Sequence, residues 1–131
     1  MTDKKNNGGW IGVDLDGTLA EYGWETGLNV VGRPILPMLE RVRRWIELGI
    51  TVKIFTARAG YPELIPPIHA WLKSLGLPEL EVTATKDFQM IKLYDDRCVQ
   101  IESNTGRILG YDPDEEPTFI NLVERRQKRR E

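Results

Sequence analysis

Three short apolar runs punctuate the chain, and each closes on polar residues. Trp10-Ile11-Gly12-Val13 ends at Asp14, Ile50-Thr51-Val52-Lys53-Ile54-Phe55 ends at Thr56, and Ile91-Lys92-Leu93-Tyr94 ends at Asp95-Asp96. Their length and β-branched content suit buried strands. Leu80-Glu81-Val82-Thr83 is a fourth strand candidate. Between them the apolar period changes. Pro34 to Leu48 carries Ile35, Met38, Leu39, Val42, Trp45 and Ile46 at helical spacing, with prolines near the first turn and Gly49 as a stop. Pro62 to Leu75 repeats the design with Leu64, Ile65, Ile68, Trp71, Leu72 and Leu75, then Gly76. Strand–helix alternation predicts an α/β fold: a three-layer α/β sandwich with a mainly parallel, Rossmann-like sheet. Right-handed crossovers then bring every strand's C-terminal end to one rim. Cys98 to Glu102 and Arg107 to Tyr111, around Ser103-Asn104-Thr105-Gly106, read as a hairpin at the sheet margin. Thr118 to Glu131 reads as a last helix with a charged tail.

Length fits this picture. The 131 residues make a single domain over 1–131, with residues 1–9 and 124–131 as candidates for disorder. A net charge of −2, from 18 basic and 20 acidic residues, gives no global attraction to nucleic acid. The lone cysteine, Cys98, makes no intrachain disulfide and fits a reducing, cytoplasmic setting. It reads as a core residue. The N-terminal residues lack the apolar stretch of a signal peptide, and no apolar run approaches the ~18 residues of a membrane span.

The chemistry gathers at the predicted rim, where ligands of open α/β sheets bind. The strands deliver Asp14, Thr56 and the Asp95-Asp96 pair there, and Asp16 lies two residues beyond Asp14. Four carboxylates near one point repel one another, and a cation relieves that repulsion. All-oxygen donors without His or Cys point to Mg²⁺ rather than zinc. Gly17 permits a sharp turn just after Asp16, and Thr18 can tie it.

Asp14-Leu15-Asp16-Gly17-Thr18 resembles the first motif of the haloacid dehalogenase-like phosphohydrolases. Phe55-Thr56-Ala57-Arg58 is similar to their second motif, Lys86 in Thr85-Lys86-Asp87 to their third, and Asp95-Asp96-Arg97 to their acidic fourth. The order holds over about residues 10 to 102. The resemblance implies a Mg²⁺-dependent phosphatase that hydrolyses a phosphomonoester in two steps. Asp14 is then the nucleophile and Asp16 the general acid/base. Mg²⁺ is held by Asp14, the Asp16 carbonyl and Asp95, with Asp96 either a further ligand or a partner of the ligands. Thr56 and Lys86 neutralise the phosphoryl oxygens, with Ala57 and Arg58 on the substrate side.

Relatives of this kind often carry a cap domain. Here 14 residues separate Leu19 from Pro34 and three separate Val82 from Lys86, too few for one. An open site suits a bulky substrate, such as a nucleic-acid end or a protein, or a neighbouring subunit serving as lid; a nucleotide or polynucleotide end is the narrower reading. Tyr22 and Trp24 in the Ala20–Gly32 loop are candidate rim groups for a base or sugar. The rival from another class is a phospho-acceptor signalling or binding module without turnover. Asp16 argues against it.

Several residues carry plainer readings. Lys92 competes with Lys86 for the cationic role but sits inside a strand. Arg58 has several roles open to it: substrate contact, pairing with Asp95 or Asp96, or a place in solvent. His69, the only histidine, reads as a packing or surface residue, and Trp45 and Trp71 fit helix core stripes. The basic tail reads as a solvated helix end before it reads as a nucleic-acid contact.

Overall fold

The computed structural model describes residues 8–23, 27–110 and 123–128. These fall into two compact units, one through Asp96 and one from Arg97 onward. In the first unit, β1 (Trp10–Asp14) is followed by α1 (Leu36–Glu47), β2 (Thr51–Phe55), two 3₁₀ turns, α2 (Ile65–Ser74), β3 (Val82–Thr83) and β4 (Met90–Tyr94). The four strands form one sheet in the order β3-β2-β1-β4, with every pairing parallel. The chain is thus α/β, as the alternating periods predict.

The register shows why the carboxylates meet. Asp14 stands opposite Phe55, so the next residue of that strand end is Thr56. On the other side Val13 stands opposite Tyr94, so the chain leaves β4 at Asp95 beside Asp14. β1 lies between β2 and β4, and the first predicted strand therefore carries the middle of the site.

The inward-facing residues of β1 and β2, Ile11, Val13, Val52 and Ile54, pack with Met38, Leu39 and Val42 of α1 and with Ile68 and Leu72 of α2. Leu15 and Leu19 are fully buried in the same core. Each such side chain contributes roughly 1.5–3 kcal/mol by leaving water. Leu15 therefore anchors the segment that puts Asp14 and Asp16 on either side of it. Trp45 and Trp71 pack at the margin of the core; the Trp71 indole N–H donates to Gly32 O at 2.9 Å, and the Trp45 ring tilts against Tyr94. At the end of α1, Gly49 sits at φ +81°, the Leu48, Gly49 and Ile50 N–H groups cap the last carbonyls, and the chain turns straight into β2.

α2 starts later than its apolar pattern suggests. Pro62–Leu64 forms a 3₁₀ turn, and Pro66 and Pro67 occupy the first turn of a helix that begins at Ile65. Prolines lack the N–H that a helix interior needs and are tolerated only at that start. β3 is likewise two residues rather than four. His69 fulfils its plainer reading, with Nε2 on Leu80 O at 3.0 Å and Nδ1 3.5 Å from Glu79.

In the second unit, β5 (Gln100–Ile101) pairs antiparallel with β6 (Ile108–Leu109). Cys98 corrects the expectation of a core role. It is exposed, because it lies outside both the four-stranded sheet and the β5–β6 pair. Residues 123–128 are helical; the rest of the expected last helix, and Trp24, lie outside the described residues. No helix among the described residues is long and apolar enough to cross a membrane.

Candidate active site

After Asp14 the chain leaves the strand in one tight turn. Leu15 O accepts from the N–H groups of Leu19 and Ala20 at 3.0 and 2.9 Å, and Gly17 N–H donates to Ala20 O at 2.8 Å. Gly17 sits at φ +90°, a backbone that side chains rarely adopt, and a Cβ there would come within 2.4 Å of Asp96 Oδ2. The turn is thus pressed directly onto the carboxylate delivered by β4.

Thr18 joins the two. Its hydroxyl accepts from Asp96 N–H at 3.0 Å and lies 3.1 Å from Asp96 Oδ1 and 3.3 Å from Asp14 Oδ2. A hydroxyl has one proton, so it serves one of these two oxygens at a time. The sequence suggests only a local tie for Thr18. Its partner lies 78 residues away, and no spacing rule reaches that far.

Asp14, Asp95 and Asp96 each offer an oxygen, and the three lie within 4.8 Å of one another. Such crowding shows in protonation. Asp14 is pushed up to about 7, first by burial, then by its side-chain hydrogen bond with Asp96 and by the charges of Asp95 and Asp96, with Thr18 opposing. The three hard oxygen donors fit Mg²⁺.

A prediction follows for the metal-free protein. The Asp14 pKa is raised on folding, so its contribution is full below the unfolded value near 4 and is lost as pH rises through about 7. Thermal melts are expected to move upward between pH 8 and pH 5.5. Added Mg²⁺ should stabilise more at the higher pH, where it does not compete with the proton. A melting temperature that is flat or falls on acidification would remove this account of the cluster.

Asp16 stands apart from these three. Arg58 Nε donates to its Oδ2 at 2.9 Å and Arg58 Nη2 to its Oδ1 at 2.8 Å. Arg58 therefore pairs with a carboxylate outside the Asp95-Asp96 pair that the sequence suggests. It is buried, at 4% exposure, and its Nη1 also donates to Leu28 O and Val30 O at 2.8 and 2.9 Å. Thr56 directly follows β2, at the strand end where the sequence places it. It is buried and caps the Ala57–Gly60 turn, its hydroxyl accepting from Arg58 N–H at 3.1 Å. Ala57 begins that turn and is exposed.

Lys86 is exposed and makes no hydrogen bond or ion pair among the described residues. The next residue, Asp87, accepts from the Trp10 indole N–H at 2.9 Å. Trp10 opens the strand that Asp14 closes, so this neighbour is tied to the opposite end of β1. Lys92 on β4 is exposed too. The carboxylates, Thr56 and Arg58 are brought together; among the described residues no hydrogen bond or ion pair joins Lys86 to them.

The Ala20–Gly32 loop leaves the site on a paired stem. Glu21 N–H donates to Arg33 O and Ile35 N–H to Leu19 O, both at 2.7 Å, and Tyr22 at the start of the loop is exposed.

No family model matches the chain, and no curated protein does. A solved structure of a conserved protein from Bacteroides thetaiotaomicron is similar over 91% of this chain and 93% of that one, at 19% identity and a TM-score of 0.56. At that identity the likeness is one of fold.

Proposed function

We propose that the protein is a Mg²⁺-dependent phosphatase of the haloacid dehalogenase-like type, acting on a phosphomonoester through Asp14. The observation that carries this reading is the meeting of Asp14, Asp95 and Asp96 at the C-terminal ends of β1 and β4, with Asp16 two residues beyond Asp14. The finer architecture proposed with it is the capless three-layer sandwich.

Asp14, Asp95 and Asp96 would hold the ion. When bound, it supplies positive charge that offsets the clustered carboxylates and the phosphoryl oxygens. In the first step an Asp14 carboxylate oxygen attacks phosphorus, the ester P–O bond breaks, and Asp16 gives a proton to the leaving oxygen. In the second step Asp16 takes a proton from water. The water oxygen bonds to phosphorus, and the bond to Asp14 breaks, releasing phosphate and restoring both carboxyl groups. Thr56 keeps its hydroxyl proton for a phosphoryl oxygen, since the oxygen accepts from Arg58 N–H and donates to no described residue. The two steps need in-line placement and charge balance more than deep burial.

The substrate class proposed is a nucleotide or polynucleotide end. The short connections after Leu19 and Val82 leave no room for a cap, and exposed Tyr22 offers a ring near the stem of the loop. A second reading is favoured by one contact. Asp16 has both oxygens on Arg58, which suits a phospho-acceptor that holds its phosphate without turnover.

Phosphate release from an aryl phosphate, mononucleotides, sugar phosphates and 3′- and 5′-phosphorylated oligonucleotides, with and without Mg²⁺, tests these readings. Release that needs Mg²⁺ is expected, with nucleotides or oligonucleotides preferred. Sugar phosphates ahead of every nucleotide would end the substrate proposal. Stable phosphorylation of Asp14 by a small phosphodonor, without release, would replace the phosphatase with the acceptor module.

A further inference from the structure

We infer that Arg58 is a positioning residue, which fixes the Asp16 carboxylate and the backbone at residues 28 and 30 in one arrangement and acts on the reaction through Asp16. The inference rests on the phosphatase reading.

Five N–H groups leave a guanidinium, and four of those of Arg58 are spent. Two go to Asp16 and two to the Leu28 and Val30 carbonyls. With 4% exposure and one N–H left, Arg58 is poorly placed to bind a phosphoryl group itself. Its own backbone N–H is held by the Thr56 hydroxyl. Three segments therefore meet on one side chain: the turn after β1, the loop before α1 and the turn after β2.

The geometry of the fork matters more than its charge. A guanidinium and a carboxylate joined by two parallel bonds share a plane, so Asp16 cannot rotate about its last torsion. Each carboxylate oxygen accepts once from Arg58 and keeps a second lone pair. Those outer lone pairs then have a fixed direction, which is what an acid/base must have toward the leaving oxygen and the attacking water. A lysine would keep the charge and lose the plane.

A double-mutant cycle on the best substrate tests this, using Arg58→Lys, Asp16→Asn and the pair, each with a thermal melt. Arg58→Lys is expected to lower kcat by roughly 10–100-fold, as loss of a supporting partner does, with KM within about twofold. In the Asp16→Asn background the same change should lower kcat by less than about twofold, because the group it orients is gone. Equal losses in both backgrounds, in step with a fall in melting temperature, would make Arg58 a folding residue only and overturn the inference. Should Arg58→Lys not fold, Asp16→Glu leaves the buried cation in place and moves the carboxylate off the fork. Its kcat should then fall to within about threefold of Asp16→Asn, and a kcat near wild type would overturn the inference. A wild-type chain that folds but releases no phosphate overturns the phosphatase reading first. An active wild type with an active Arg58→Lys overturns the Arg58 role alone.

Discussion

Asp14→Asn is expected to abolish Mg²⁺-dependent phosphate release while raising the melting temperature of the metal-free protein. The two effects have one cause. Asparagine keeps the shape of the side chain and removes the anion proposed to attack phosphorus. Loss of a nucleophile costs roughly 10⁴-fold or more in kcat. It also removes a charge that the folded protein holds at a cost, since burial and the neighbouring Asp95 and Asp96 raise Asp14 to about 7. The stabilisation should appear at pH 8, where wild-type Asp14 is ionised, and fade by pH 5, where it is protonated. Melts at the two pH values, beside phosphate release, check both halves. Full activity in Asp14→Asn would reject Asp14 as nucleophile. An unchanged or lower melting temperature at pH 8 would reject the electrostatic account.

Gly17→Ala is expected to damage both fold and metal response. At φ +90° any side chain is strained, and the new Cβ would stand 2.4 Å from Asp96 Oδ2 and 2.9 Å from its Cγ. A strained position of this kind costs about 1–3 kcal/mol. Asp96 can swing away only by giving up the contact of its Oδ1 with the Thr18 hydroxyl. The clash therefore either distorts the turn or separates Asp96 from Asp14. Denaturant unfolding should show the loss, and the stabilisation by added Mg²⁺ should shrink. Gly60→Ala is the control, because a Cβ there meets nothing within 4 Å. It should change stability by less than about 0.5 kcal/mol. Equal behaviour of the two variants would remove the steric role assigned to Gly17.

The parts of this site that the sequence shows are those carried by local pattern. β-branched runs ending in Asp14, Thr56 and Asp95 predict strands, and parallel topology does the rest: register places Phe55 and Tyr94 beside the end of β1. Gly17 is legible because a turn after two aspartates needs a residue free to take positive φ. Arg58 is visible as a residue but not in its partner. Asp16 lies 42 positions away, and backbone carbonyls at 28 and 30 leave no trace in side-chain identity. Lys86 is legible only as a motif position. A lysine at a matching position in sequence says nothing about where a six-residue connection from Thr83 to Met90 carries it. Cys98 misleads because apolar character predicts burial only where an element exists to cover it.

Among the described residues β4 closes the four-stranded sheet on one side, bonded to β1 alone, and its Ile91 is half exposed. An edge with one neighbour opens more readily than the strands inside it. Its pairing with β1 also joins residues about eighty apart in the chain, so it has the largest loop-closure cost of the sheet. Asp95 and Asp96 travel with that strand. During synthesis the chain can therefore assemble Asp14, Thr56, both helices and most of its core before it has any cluster to hold a cation. In the folded protein an opening of this edge would part Asp95 and Asp96 from Asp14 while the core stays intact, so a cation held there as proposed would also hold the edge strand to β1, and its occupancy would report how firmly the sheet is shut.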